Sequence, residues 1–182
     1  MPQHHPGFRK DWYYGPAGTP DARAWGYLYG DAVSLVLTFI PYPMVIDRIG
    51  LEVTWPFRSS DTLRLGAYQH DPQRAMPSEK IFQTNEISVG SAAIKEINIS
   101  WNPVPGWYWL ALASSYAQYI TTRNDQQFDN FIHGSRDTLT NGYYLSYSPY
   151  SQGDDLPQTL TNENTVLRHN NIPYIWVRRS NA

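Results

Sequence analysis

The 182-residue chain contains no cysteine. That absence removes disulfide staples, thiolate nucleophiles and cysteine metal sites together, and it leaves the redox compartment undetermined. Stability has to come from packing. Charge is scarce too: 16% of residues are Asp, Glu, Lys or Arg, and 14 basic against 16 acidic groups leave a net −2. Such a balance does not neutralise a phosphate backbone, so no nucleic-acid partner is expected. No run approaches the roughly 18 uncharged apolar residues of a membrane helix. The longest, Leu35 to Pro43, is interrupted by Thr38, and no membrane partner is expected. The opening Met1-Pro-Gln-His-His-Pro-Gly-Phe-Arg-Lys10 has no apolar centre and no small-residue cleavage site, so it does not read as a secretory signal.

Catalytic signatures are missing as well. There is no Gly-x-Ser-x-Gly elbow, and Gly134-Ser-Arg-Asp137 lacks the strand-to-helix context that would expose a nucleophile. Gly-rich phosphate loops of either common kind are absent. The five histidines, His4, His5, His70, His133 and His169, have no i, i+2 pair that could ligate a metal from one strand, and they read as solvated or hydrogen-bonded side chains. Asp154-Asp155 is the one adjacent acidic pair, and it falls in a Gly/Pro loop without a second carboxylate placed for glycosidase or calcium work. Asn98-Ile-Ser100 matches a glycosylation sequon, but its alternation puts Asn98 within a strand. The expectation is a protein without enzymatic activity, metal or cofactor.

What the chain does have is rings: 7 Trp, 14 Tyr and 6 Phe. Few but large side chains can then build one core. Period-2 patterning runs through Val45-Ile-Asp-Arg-Ile-Gly-Leu-Glu-Val-Thr-Trp55, where Val45, Ile49, Leu51, Val53 and Trp55 share one face and Arg48, Glu52 and Thr54 the other. Pro56 ends that strand, and Arg58-Ser-Ser-Asp61 reads as the turn of a hairpin leading into Thr62–Gln69. Further strands are expected at Val33–Ile40, Lys80–Thr84, Ile94–Trp101, Trp107–Ser114, Tyr143–Tyr147 and Tyr174–Val177. Gly106 to Ala113 is apolar on both faces, which predicts a central strand covered on both sides. A polar region from about Thr121 to Asn141 has room for a short helix at Asp125–Phe131, and Ser148 to Asn171 reads as a long loop without period.

Eight or so strands, turns every eight to twelve residues and scarcely any helix predict an all-β fold. Two antiparallel sheets packed as a jelly-roll-like sandwich are the expectation. Residues 25–182 would form that single domain, with Trp55, Trp107 and Trp109 buried, and residues 1–24 an extended N-terminal docking arm. A start so rich in Pro, Gly and His is expected to be held by a partner surface.

Three segments, in order, carry a resemblance: Trp12-Tyr-Tyr14; Ile40-Pro-Tyr-Pro43 with Val45-Ile-Asp-Arg-Ile-Gly-Leu-Glu-Val53; and Leu63-Arg-Leu-Gly-Ala-Tyr68 with Pro77 and Pro105-Gly-Trp-Tyr-Trp-Leu-Ala111. The series resembles a β-sandwich domain of tailed-bacteriophage structural proteins, found at tail-fibre ends and in small virion accessory proteins. The likeness covers about residues 12 to 115. Met44 and Ala67 depart from it, and no coiled-coil or shaft segment precedes the domain. The resemblance therefore implies a standalone virion component, either a capsid decoration (cement) protein or a small tail- or fibre-associated subunit. Its partners would be other virion proteins of the shell or tail, and it would act as a homo-oligomer, a trimer by analogy.

Rings in excess of one small core are expected at the surface, where Tyr and Trp anchor protein interfaces or stack on sugars. The candidate partner-binding residues are Trp12, Tyr13, Tyr14, Trp25, Tyr27, Tyr147 and Tyr150. They lie within two docking segments, 1–30 and 148–171, or beside them. Arginine outnumbers lysine, with only Lys10, Lys80 and Lys95 among the basic residues, which suits interface pairing. The alternative is a carbohydrate-recognising receptor-binding module that takes a cell-surface glycan.

Overall fold

The computed structural model describes residues 10–15, 24–28, 30, 32–116, 118–123, 143–148, 150–151, 154–161, 165–169 and 172–180. The helix expected at Asp125–Phe131 lies outside them, as does most of the expected arm. The described residues form strands and no helix: β1 (Tyr13–Tyr14), β2 (Ala24–Leu28), β3 (Val33–Ile40), β4 (Ile46–Trp55), β5 (Thr62–Asp71), β6 (Met76–Gln83), β7 (Ile87–Ser88), β8 (Ala93–Trp101), β9 (Gly106–Ser114), β10 (Gln118–Arg123), β11 (Tyr143–Tyr147), β12 (Thr165–His169), β13 (Ile172–Pro173) and β14 (Trp176–Arg179). They make two antiparallel sheets that pack face to face, a jelly-roll-like β-sandwich. Sheet A runs β1-β14-β4-β10-β13, with β8 on the other side of β4 and β2 on β10; sheet B runs β12-β11-β3-β9-β5-β6, with β7 on β5.

Alternation explains the core between the sheets. From sheet A, Ile49, Leu51 and Val53 of β4 point inward, joined by Ile120 and Val177; from sheet B come Leu63, Leu65, Ala67, Tyr108, Leu110 and Leu112. The intervening Arg48 and Glu52 face solvent or sit half-buried. Each fully buried aliphatic chain contributes about 1.5–3 kcal/mol relative to exposure.

β9 is apolar on both faces because both are covered. Its other face, Trp109, Ala111 and Ala113, joins Val33, Leu35, Leu37 and Tyr68 in a second core roofed by Tyr150, Leu156 and Leu160. These last three belong to a strap, residues 150–151 and 154–160, laid over sheet B as a third layer. Gly66 makes room for it: a Cβ there would meet Leu156 Cδ1 at 2.5 Å. Polar contacts fasten the strap. Lys80 Nζ donates to the Leu156 carbonyl at 2.6 Å, Tyr68 Oη to that of Pro157 at 2.7 Å, and Leu156 N–H to Gln83 Oε1 at 2.9 Å. Backbone bonds from Lys80 N to Gln158 O (2.9 Å) and from Leu160 N to Ser78 O (3.4 Å) seal the edge of β6.

Several expectations are corrected. The β4–β5 connection is no hairpin, because β4 lies in sheet A and β5 in sheet B. Pro56–Asp61 is a corner between sheets, tied by Arg58 N to Asp61 Oδ2 (3.0 Å) and Val89 N to Asp61 O (2.9 Å). Trp55 and Val45 fall at the ends of the inward series and are exposed, Trp55 by 64%. Trp107 lies beyond the strap and is 37% exposed, so of the three tryptophans assigned to the core Trp109 alone is buried. The strand expected at Lys80–Thr84 starts earlier and ends at Gln83, as β6 (Met76–Gln83), which admits Pro77 because β6 is an edge. Thr121 to Arg123 is strand rather than part of a polar linker, and β12 interrupts the loop expected at Ser148–Asn171.

Candidate docking surface

The N-terminal segment reaches sheet A through β1, which pairs antiparallel with β14: Tyr13 opposite Arg178, Tyr14 opposite Val177. Asp11 N donates to Arg179 O at 2.9 Å, and Arg179 N to Trp12 O at 3.2 Å. Val177 is an inward core residue, so the alternating Trp176 and Arg178, and Tyr13 with them, stand on the outer face of sheet A. There the Tyr13 ring meets Trp176 edge-on, with centroids 4.8 Å apart. Trp176 lies flat across Gly50, where a Cβ would come within 2.3 Å of the indole. Glycine is thus the residue that lets this ring rest on the sheet. Trp12 and Tyr13 remain 54% and 48% exposed.

Ion pairs frame the rings. Arg178 grips Asp47 through both carboxylate oxygens, Nε to Oδ1 at 3.0 Å and Nη2 to Oδ2 at 2.6 Å, and that bond to Arg178 holds the Asp47 carboxyl below the usual carboxylate range. Arg48 pairs with Glu96 on the neighbouring strand.

A second group gathers at the far end of sheet A. Phe57 stacks on Tyr119 with centroids 5.5 Å apart and meets Tyr116 edge-on at 6.3 Å, while the Arg58 guanidinium sits 3.9 Å above the Tyr116 ring. Exposed Trp55 is opposite Tyr119 in the ladder. A third lies on the outer face of sheet B beyond the strap, where Phe39 and Trp107, directly opposed across β3 and β9, approach to 4.8 Å.

The residues singled out from sequence divide between these places. Trp12 and Tyr13 are exposed on sheet A, and Tyr14 is half-buried. Trp25 and Tyr27 pair through β2 with Thr121 and Tyr119 of β10, and their side chains lie outside the described ones. Tyr147 is half-buried against the second core. Tyr150, at the start of the strap, is buried against the second core, its hydroxyl donating to the Asp154 carbonyl, and burial pushes its phenol pKa up. It offers no ring face to a partner. Of the segment 148–171, Tyr150, Leu156 and Leu160 pack on the protein's own sheet B. Sequence reasoning passed over Phe39, Phe57, Tyr116, Tyr119 and Trp176. The available signal was position: rings at strand ends and on the polar side of an alternation.

Among the described residues no group of three or more His, Asp or Glu side chains is placed to hold a metal ion. His70 accepts a hydrogen bond at Nδ1 from Trp109 Nε1 (3.0 Å), and among the described residues no helix is long and apolar enough to cross a membrane. Against known proteins, no family model matches the chain, and no curated protein does.

Proposed function

We propose that the chain is a structural protein of a bacteriophage virion that works by docking and without catalysis, as a capsid decoration (cement) subunit or a small tail- or fibre-associated subunit. What supports this reading is the set of large rings kept exposed: Trp12, Tyr13, Phe39, Trp55, Phe57 and Trp107. Isolated surface rings are ordinary; rings paired with one another and framed by arginine are the composition of interface hot spots. The partners in this reading are shell or tail proteins. A homo-oligomer, a trimer by the resemblance, would multiply weak contacts.

The test uses the full chain with Trp12→Ala and Tyr13→Ala, assembled into particles. A hot-spot ring contributes about 2 kcal/mol or more, so each change should weaken docking by roughly 30-fold while circular dichroism stays unchanged. Undiminished incorporation into particles would contradict the role given to this segment.

A second reading, glycan recognition, has one observation in its favour. An open cleft of about 350 Å³ is lined by Glu52, Val53, Thr54, Trp55, Ala92 and Ala93. It brings together an exposed indole and a carboxylate. Saccharide binding by the isolated protein that is lost in Trp55→Ala would favour it over protein docking.

A further inference from the structure

The two sheets treat their long edges differently. On sheet B the outer side of β6 is closed by the strap, through an isolated bridge between Glu79 and Thr159 and the flanking backbone bonds. On sheet A, β8 pairs with β4 and, among the described residues, with no other strand. Nine residues long and free of proline, β8 is the kind of edge that natural sheets ordinarily blunt. Its charges do not blunt it. Lys95 Nζ is drawn back to Ser91 Oγ (3.1 Å), and Glu96 is held by Arg48 of β4.

The direction of the open groups can be read from Gly50. A Cβ there would stand 2.5 Å from the Lys95 carbonyl oxygen, so that carbonyl turns toward β4. Backbone groups alternate sides along a strand, and the N–H and C=O groups of Ile94, Glu96 and Asn98 therefore turn away from β4.

The geometry points to a second copy of this chain as the occupant of that edge, joined by antiparallel β8–β8 pairing about a two-fold axis at Ile97. Self-complementarity carries the inference. A two-fold perpendicular to the sheet keeps inner faces level with inner faces, so the axis must pass through a residue. Ile97 is the midpoint of Ala93–Trp101 and gives the longest overlap. In that register Ile97 meets Ile97 of the second copy, Lys95 meets Ile99, and Glu96 meets Asn98, with no like charges opposed. Moving the axis to Glu96 would oppose two carboxylates, which is destabilising. Ile97 and Ile99, half-buried at the margin of the core, would be covered and the core continued across the boundary. The β4–β8 register slips between Ile46 and Arg48, bending the strand beyond Asn98, so the central pairs carry the contact. This inference rests on the self-association in the proposed function alone; a two-fold contact closes a dimer, and in that it departs from the trimer the resemblance suggests.

Sedimentation equilibrium of the full chain, with hydrogen exchange of residues 93–101 followed against concentration, is the test. The expected result is a dimer in which the Ile94, Glu96 and Asn98 amides become protected as it forms. Asn98→Glu faces Arg48 within its own chain but Glu96 of the second copy, twice per dimer. At about 0.2–1 kcal/mol per cross-strand pair it should weaken the dimer roughly 2- to 30-fold. Asn98→Lys, opposite the same carboxylate, should hold or tighten it. A monomer at all concentrations, an oligomer of any size whose β8 amides exchange at a constant rate, or equal effects of the two substitutions would each overturn the inference. Docking through Trp12 and Tyr13, read separately in particles, would be untouched by any of these.

Discussion

At the scale of single residues, two positions are set by their neighbours rather than by their own preferences. Gly50 is one. Gly50→Ala forces its methyl group against both the Trp176 indole and the Lys95 carbonyl, neither of which can yield cheaply. A loss of about 1–3 kcal/mol is expected, checked by denaturant titration, together with a change in the Trp176 environment seen in near-ultraviolet dichroism. His70 is the other. Burial holds its pKa below the ordinary 6.5, with Asp71 opposing, and its Nδ1 is committed to the Trp109 indole. The unfolded chain therefore takes up a proton at higher pH than the folded one does. Stability should be full above about pH 6.5 and fall as the pH drops below it, until folded His70 is protonated as well. Thermal melts between about pH 7.5 and pH 5 measure this. His70→Asn, which keeps an acceptor near Nδ1 without a titrating ring, should flatten the slope in that window.

At the scale of elements, the strap and the β5–β6 turn carry the clearest predictions. Leu156 sits over Gly66 in the second core, and Leu156→Ala should cost about 2–5 kcal/mol. Because the polar fastenings of Lys80, Tyr68 and Gln83 remain, the change should speed proteolysis of the strap before it unfolds the sheets. In the β5–β6 turn Ala75 has φ 54°, a left-handed conformation that disfavours a Cβ, while Asp71 Oδ1 accepts from Gln73 N at 2.8 Å. Ala75→Gly should gain about 0.5–1 kcal/mol in thermal unfolding.

What was legible in the sequence follows from the same elements. β4 could be read because one of its faces is wet, so burial is written in its alternation. β9 could be read because both faces are dry. The strap could not: Tyr150, Leu156 and Leu160 are scattered through polar residues, and what buries them is a face of another strand. The hairpin was misread because Arg58-Ser-Ser-Asp61 encodes a reversal of the chain and not which sheet receives the next strand. β10 and β12 are polar by composition and are strands because of the partners they pair with. The exposed rings were legible as a surplus, yet their grouping depended on corners and registers that no local pattern records.

At the scale of the whole molecule, β1 is an accessory to sheet A rather than part of its core. Removing residues 1–14 deletes the two-residue ladder on β14 and uncovers Trp176, at a cost of about 1–2 kcal/mol. The sandwich should survive with its Tm lowered by about 2–8 °C, measured by calorimetry. β14 stands otherwise. It lies in sheet A between β1 and β4, although it follows both of them, and every other strand, in the chain. During translation its slot stays vacant until Trp176–Arg179 have left the ribosome, and the nascent polypeptide waits with that seam open. The sheet cannot close before that strand emerges, and a stop codon ahead of Trp176 would release a product that chaperones and proteases meet before any partner does.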